Sequence, residues 1–187
     1  MRLLIVGPQG AGKGTQAAVI AGKFGIPHIA TGDIFRANVA DSTPLGLEAK
    51  SYMDAGELVP DSVTNAMVVD RLQQPDAVAG FLLDGYPRNA EQASVLTEFL
   101  SSVGEQLDAV IQLVIDDEHV RGRLVERARE QGRSDDTEEG IRRRLEIYHS
   151  TTEPLIEYYH EAGLLRAVDG VGSIEDITAR ILAALTA

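Results

Sequence analysis

Short apolar runs rich in β-branched residues recur along the chain at Leu3–Val6, His28–Ala30, Phe81–Leu83, Ala109–Ile115 and Leu164–Val168. The longer stretches between them carry helical patterns of apolar spacing. Strand and helix patterns that alternate in this way predict parallel βαβ units. The run Val110-Ile111-Gln112-Leu113-Val114-Ile115 is nearly continuous rather than alternating, as in a strand covered by helices on both faces. The pattern therefore predicts an α/β fold of three layers, a five-stranded parallel sheet with helices on both sides. Ligands of such sheets sit beyond the carboxyl ends of the strands.

Two stretches exceed what the sheet needs. In 31–70, helical patterns are broken at Ser42-Thr43-Pro44 and at Gly56, and Asp61 after Pro60 reads as a helix N-cap. The second, 127–136, is polar. Both are candidates for mobile lobes over a site. The last long helical pattern starts near Asp136, with Glu139 as a capping-box partner. Its inward stripe is Ile141, Leu145, Tyr148, Thr152, Leu155 and Tyr159, with a kink expected at Pro154.

Composition narrows the chemistry. A chain of 187 residues with 44% apolar content builds one full core. It has no cysteine, which excludes disulfides and thiolate metal sites and suits a reducing compartment. The sequence opens on a buried-strand pattern and has no apolar run of membrane-spanning length, so the expectation is a cytoplasmic protein without a signal peptide. A net charge of −12 argues against a general nucleic-acid binder. Of the 17 basic residues only Lys13, Lys23 and Lys50 are lysines; the rest are arginines, many between Arg121 and Arg144. Such a run is commonly a solvated helix face, but the planar guanidinium fork also suits phosphate oxygens.

The densest signal is Gly7-Pro8-Gln9-Gly10-Ala11-Gly12-Lys13-Gly14-Thr15, between an apolar strand pattern and an Ala-rich helical one. Glycines let successive backbone N–H groups turn inward around an anion, and the helix that follows aims its positive end at the same point. The Gly-x4-Gly-Lys spacing is that of a phosphate-binding loop, although Gly14 stands where Ser or Thr is usual and Thr15 comes one later. Nucleoside triphosphate binding follows; the reaction does not, because many activities use this loop. Downstream, Phe81-Leu82-Leu83-Asp84-Gly85 reads as a buried strand ending in a carboxylate, the place for a residue that holds Mg²⁺ directly or through its waters. Gly85-Tyr86-Pro87-Arg88 puts an arginine at the same strand end. His28 reads as a strand residue rather than a base, and His119, His149 and His160 lack ligand spacing.

Over essentially its full length the chain resembles adenylate kinases. The resemblance rests on Gly7–Gln16, Thr31-Gly32-Asp33 with Arg36, Met53-Asp54-Ala55-Gly56 with Leu58-Val59, Asp84 to Arg88 with Gln92, Arg123 with Arg127, Arg133-Ser134-Asp135-Asp136, and Arg142-Arg143-Arg144-Leu145. Gly14-Thr15 is then the family's usual form of the loop. The resemblance implies Mg²⁺-dependent phosphoryl transfer between ATP and AMP, giving two ADP, by a monomer without zinc. It assigns Gly10, Ala11, Gly12, Lys13, Gly14 and Thr15 to the ATP phosphates, with Arg127 against ATP and Gly172 near its adenine. It assigns Thr31, Arg36, Glu57, Leu58, Val59, Gly85, Tyr86, Pro87, Arg88 and Gln92 to AMP, with Arg133 and Arg144 reaching toward it. Lys13, Arg88, Arg123, Arg133 and Arg144 surround the transferred group, and Asp84 and Asp33 face the Mg²⁺ waters. A Gln amide suits a bidentate pair with an adenine edge, and at Gln92 it marks the acceptor base.

In this reading 1–187 is one domain, with core 1–29, 60–126 and 133–187, an AMP-binding lobe 30–59 and a short lid 127–132 in place of the long lid of many bacterial members. The alternatives are a UMP/CMP-type kinase on the same fold and a nucleotide-dependent switch. A guanine-specific switch would want an Asn-Lys-x-Asp motif, which the chain lacks.

Overall fold

The computed structural model describes residues 1–131 and 137–186, with side chains for 1–124 and 137–186. The strands are β1 (Arg2–Val6), β2 (His28–Ala30), β3 (Phe81–Asp84), β4 (Ala109–Val114) and β5 (Leu165–Asp169). Each matches its apolar run to within a residue at either end. They form one parallel sheet of five strands in the order β2-β3-β1-β4-β5. The helices are α1 (Lys13–Phe24), α2 (Thr31–Ala40), α3 (Pro44–Asp54), α4 (Asp61–Leu72), α5 (Ala90–Ser102), α6 (Asp117–Gln131), α7 (Glu138–Ile147), α8 (Pro154–Glu161) and α9 (Ile174–Thr186).

Successive strand residues point to opposite faces, and both faces are covered. Leu4, Val6, Leu83 and Val110 pack with Val68 and Leu72 of α4, Leu96 and Leu100 of α5, and Leu155 and Tyr159 of α8. Leu3, Ile5, Ile111 and Leu113 pack with Ala17 and Ile20 of α1 and Ile177 and Ile181 of α9. Each such fully buried Val, Leu or Ile side chain contributes roughly 1.5–3 kcal/mol. That double burial is why the strands read as continuous apolar runs. Phe35 of α2, Ala49 of α3 and Val59 of the segment after α3 build a separate small core.

Three local expectations change. Helix α6 runs on through Gln131, so 128–131 of the expected lid are helical, as a stretch of good helix formers free of Gly and Pro allows. The N-cap of α7 is Thr137, whose hydroxyl accepts from Gly140 N at 3.0 Å; Asp136 lies outside the described residues, and the capping-box position falls on Gly140 rather than Glu139. Helix α4 begins with Pro60 as its N-cap, because Val63 N and Thr64 N both bond the Pro60 carbonyl, and Asp61 spends its carboxylate elsewhere. The bend near Pro154 is a π-helical turn, Tyr148–Thr152, closed by Glu153 N on the Tyr148 carbonyl at 2.8 Å. Proline lacks an N–H and cannot continue the ladder, so the wide turn delivers it to the first position of α8.

Candidate active site

Strand β1 delivers the chain to the glycine loop and α1 carries it away. Gly12 is the N-cap of α1 with φ 91°, a left-handed conformation that a side chain would strain. No side chain caps α1 and its first turn has no acidic residue, so nothing on the helix neutralises its positive end. Lys13 Nζ donates to the carbonyls of Gly7 and Pro8, each at 2.8 Å, which keeps its charge over the loop. Behind the loop, buried Gln16 donates to the Ile174 carbonyl at 3.0 Å and accepts from Thr178 at 2.8 Å, tying α1 to α9.

Strand β3 ends at Asp84 beside this helix, and a Cβ added to Gly14 would lie 3.5 Å from Asp84 Oδ2. Burial pushes the Asp84 pKa up, but His28, Lys13 and Arg88 together outweigh it and hold the carboxyl below its ordinary range. His28 is more than a strand residue: its buried Nε2 stands 3.6 Å from Asp84 Oδ2, beyond a direct hydrogen bond, and has no hydrogen-bond partner. An ionised carboxylate at Asp84 and the Thr15 hydroxyl on the same cavity form a hard-oxygen donor set. That set suits Mg²⁺ that keeps waters and takes its other ligands from phosphate oxygens. Among the described residues there is no group of three or more His, Cys, Asp or Glu that could hold a metal ion. Asp33 is paired with Arg36 at 2.6 Å.

The turn after β3 carries Arg88. Its Nε donates to the Gly85 carbonyl at 2.8 Å, and buried Thr152 donates to the Arg88 carbonyl at 2.8 Å. Burial lowers the Arg88 pKa; Asp84 opposes this, and the positive charges of Arg144 and Arg36 add to it. An anion in the cavity relieves all three guanidiniums at once. Arg123 reaches from α6 to the carbonyls of Ala11 at 3.2 Å and Gly170 at 3.1 Å, spanning the loops after β1 and β5. Arg144 donates to the Met53 carbonyl at 3.2 Å, and Arg143 pairs with Glu57 at 2.7 Å, so α7 is fastened to the end of α3.

One cavity of about 740 Å³ runs between the glycine loop and this arginine cluster. Its lining includes Gly10, Gly12, Lys13, Gly14 and Thr15 on one side and Thr31, Asp33, Arg36, Glu57, Leu58 and Val59 on the other. Asp84, Gly85, Pro87, Arg88, Gln92, Arg123 and Arg144 join them. Ala11 and Tyr86 are buried beneath the lining, where the Tyr86 hydroxyl donates to Asn65 Oδ1 at 2.7 Å. Gly172 lies outside the lining, beside Arg180. The side chain of Arg127, and Arg133 altogether, fall outside the described residues. The residues missed by the sequence reading are His28, Asp61 and Thr152. Thr152 lies 64 positions from Arg88, and no local pattern could have paired them.

A glycine loop at a helix N-terminus, a carboxylate at the end of the neighbouring parallel strand and arginines converging from several elements define a phosphate-loop, nucleotide-binding α/β protein. Comparison with known proteins narrows that class. A sequence model of the family Adenylate kinase matches residues 5–164. An adenylate kinase of Renibacterium salmoninarum is 60% identical over 184 residues, covering 98% of this chain and 95% of the relative. Those of Nocardioides sp. and Thermobifida fusca are each 57% identical over 185 residues, covering 99% of this chain and 97% and 98% of the relatives. The chain belongs to the adenylate kinase family, and it is a phosphotransferase.

Proposed function

We propose that the protein transfers the γ-phosphoryl group of ATP reversibly to AMP, giving two ADP, and so balances the adenine nucleotides of the cytoplasm. The observation that carries the reading is the single cavity with a phosphate loop at one wall, Arg36, Arg88 and Gln92 at the other, and Arg123 and Arg144 facing the same space. In the reaction an oxygen of the AMP phosphate forms a bond to the γ-phosphorus as the bond to the bridging oxygen of ADP breaks. The nucleophile is already anionic, so no general base is needed; alignment and charge stabilisation remain. Lys13 holds the outer ATP phosphates. Arg36 and Arg88 hold the AMP phosphate. Arg88, Arg123, Arg144 and Arg133 surround the transferring group. Asp84 and Asp33 would hold Mg²⁺ through its waters when it arrives with ATP, and the ion would supply further charge neutralisation. Lobe 30–59 and lid 127–132 close to exclude water, which competes as a nucleophile.

The reading takes the enzyme as a monomer, which size-exclusion chromatography checks. The deciding experiment mixes ATP and Mg²⁺ with AMP, CMP or UMP and follows ADP formation. AMP should be the strongly preferred acceptor. Equal rates with all three would favour a pyrimidine-type kinase, and no transfer would reject the reading.

A further inference from the structure

Chemistry fixes which way the side-chain amide of Gln92 points. One end lies 2.8 Å from the backbone N of Arg88, which can only donate. The other lies 2.6 Å from Asp61 Oδ1, a carboxylate oxygen that accepts. The first end is therefore Oε1 and the second Nε2. Asn89 repeats the logic: its Nδ2 donates to Asp61 Oδ2 at 2.8 Å while its Oδ1 accepts from Gln92 N at 2.9 Å. One carboxylate thus holds two amides in register. Gln92 is almost wholly buried yet lines the cavity, and its contacts use one of two N–H groups and one of two oxygen lone pairs.

We propose that Asp61 is a positioning residue that sets acceptor-base specificity. By pinning the Gln92 amide, it makes the site read an exocyclic amine beside an unprotonated ring nitrogen. The inference rests on the reading of Gln92 as a contact to the acceptor base. Adenine and cytosine both present that order. Hypoxanthine, guanine and uracil present the reverse, an oxo group beside a ring N–H. Turning the amide to suit them would set Oε1 against the Asp61 carboxylate and Nε2 against the Arg88 N–H, a mismatch at both ends. The amide therefore separates amino bases from oxo bases, and the shape of the cavity is left to separate purine from pyrimidine.

The test measures kcat/KM for AMP and for inosine monophosphate, whose base keeps the purine shape but carries the oxo pattern. Wild type is compared with Asp61→Ala, the isosteric Asp61→Asn, Gln92→Ala and the double variant Asp61→Ala/Gln92→Ala. Asp61→Ala should lower the AMP-to-inosine-monophosphate ratio by about tenfold, mainly through KM for the acceptor, with KM for ATP unchanged. Asp61→Asn, which keeps one accepting oxygen, should fall between, and it carries the test if the alanine variant does not fold. In the Gln92→Ala background the Asp61 substitution should not alter the ratio further. If Gln92→Ala keeps the wild-type ratio, the reading of Gln92 fails and the inference with it. If Gln92→Ala collapses the ratio while both Asp61 variants keep it, only the role of Asp61 is overturned. An equal drop from Asp61→Ala in both backgrounds would also overturn it, because Asp61 would then be acting by another route.

Discussion

Lys13 and Arg88 are both charged groups held where a phosphate would lie, but the fold treats them differently. Lys13 is paired with two loop carbonyls, so its removal costs local hydrogen bonds as well as catalysis. Lys13→Met should lower kcat by about 10²–10³, the usual loss for one preorganised charge, with only a small drop in Tm. Retention of half the wild-type turnover would reject its role. In the ligand-free protein burial, Arg144 and Arg36 disfavour the Arg88 charge, and together they outweigh the support of Asp84. The neutral variant Arg88→Met should therefore keep or raise Tm while kcat falls and KM for AMP rises. A clear fall in Tm would mean that its bond to the Gly85 carbonyl outweighs the burial penalty. Such opposition between stability and activity is common where a site gathers like charges.

Helices α2 and α3 meet without a side chain between them at Gly46. A Cβ there would collide with the Asn38 carbonyl, which is backbone and has no freedom to swing away. Gly46→Ala should destabilise this pair by about 1–3 kcal/mol, the cost of overpacking. Hydrogen exchange should quicken across α2 and α3 while the sheet stays protected. KM for AMP should rise, and KM for ATP should hardly change. At the π-helical turn, His149 Nδ1 lies 2.9 Å from Glu153 and its Nε2 3.2 Å from Asp117 at the start of α6. Glu153 raises the ring's pKa above 6.5, with burial opposing and Asp117 adding to the rise. A raised folded pKa means the contribution is full below the unfolded value of 6.5 and is lost as pH climbs through the folded value. Tm should therefore slip as pH rises above 6.5 through the raised folded value, and His149→Gln should flatten that slope. An unchanged slope in the variant would put the titration elsewhere. The ring is half exposed, so the effect is a modest one.

Across the whole molecule, stability comes from two apolar layers on one sheet, and no cysteine is available for a structural thiolate site. Metal chelation should then separate folding from catalysis. EDTA should stop phosphoryl transfer by withdrawing Mg²⁺ from ATP, yet leave the Tm of the nucleotide-free protein nearly unchanged. A large drop in Tm would reveal a metal that holds the fold. The cavity lies at the carboxyl end of the sheet, where β1 sits between β3 and β4 and the chain changes direction. Rigid strands there aim the loops, while the α2–α3 pair has a small core of its own, packed against Val63 and Met67 of α4. Elements of that kind are the ones free to move at modest cost.

The sequence by itself determined the sheet, the glycine loop and the carboxylate at Asp84, because each is a local pattern. Burial on both faces writes continuous apolar strands, phosphate binding demands glycines at fixed spacing, and a strand end places the residue that follows it. It also carried the motifs around Thr31, Arg88 and Gln92, which sit just past a strand or early in a helix, and Arg36 in the middle of α2. Tertiary structure alone decided what those residues meet. Asp61 follows a proline and looks like a helix cap, but its partner Gln92 is 31 positions away. His28 looks like a strand residue, and only the parallel pairing of β2 with β3 brings it to Asp84. Thr152 lies in a bend and props the backbone of Arg88. A hydrogen bond between distant side chains leaves no period in the chain. The direction of the Gln92 amide, and with it the order of donor and acceptor that it turns toward the cavity, therefore becomes legible only once Asp61 and the Arg88 N–H stand on either side of it.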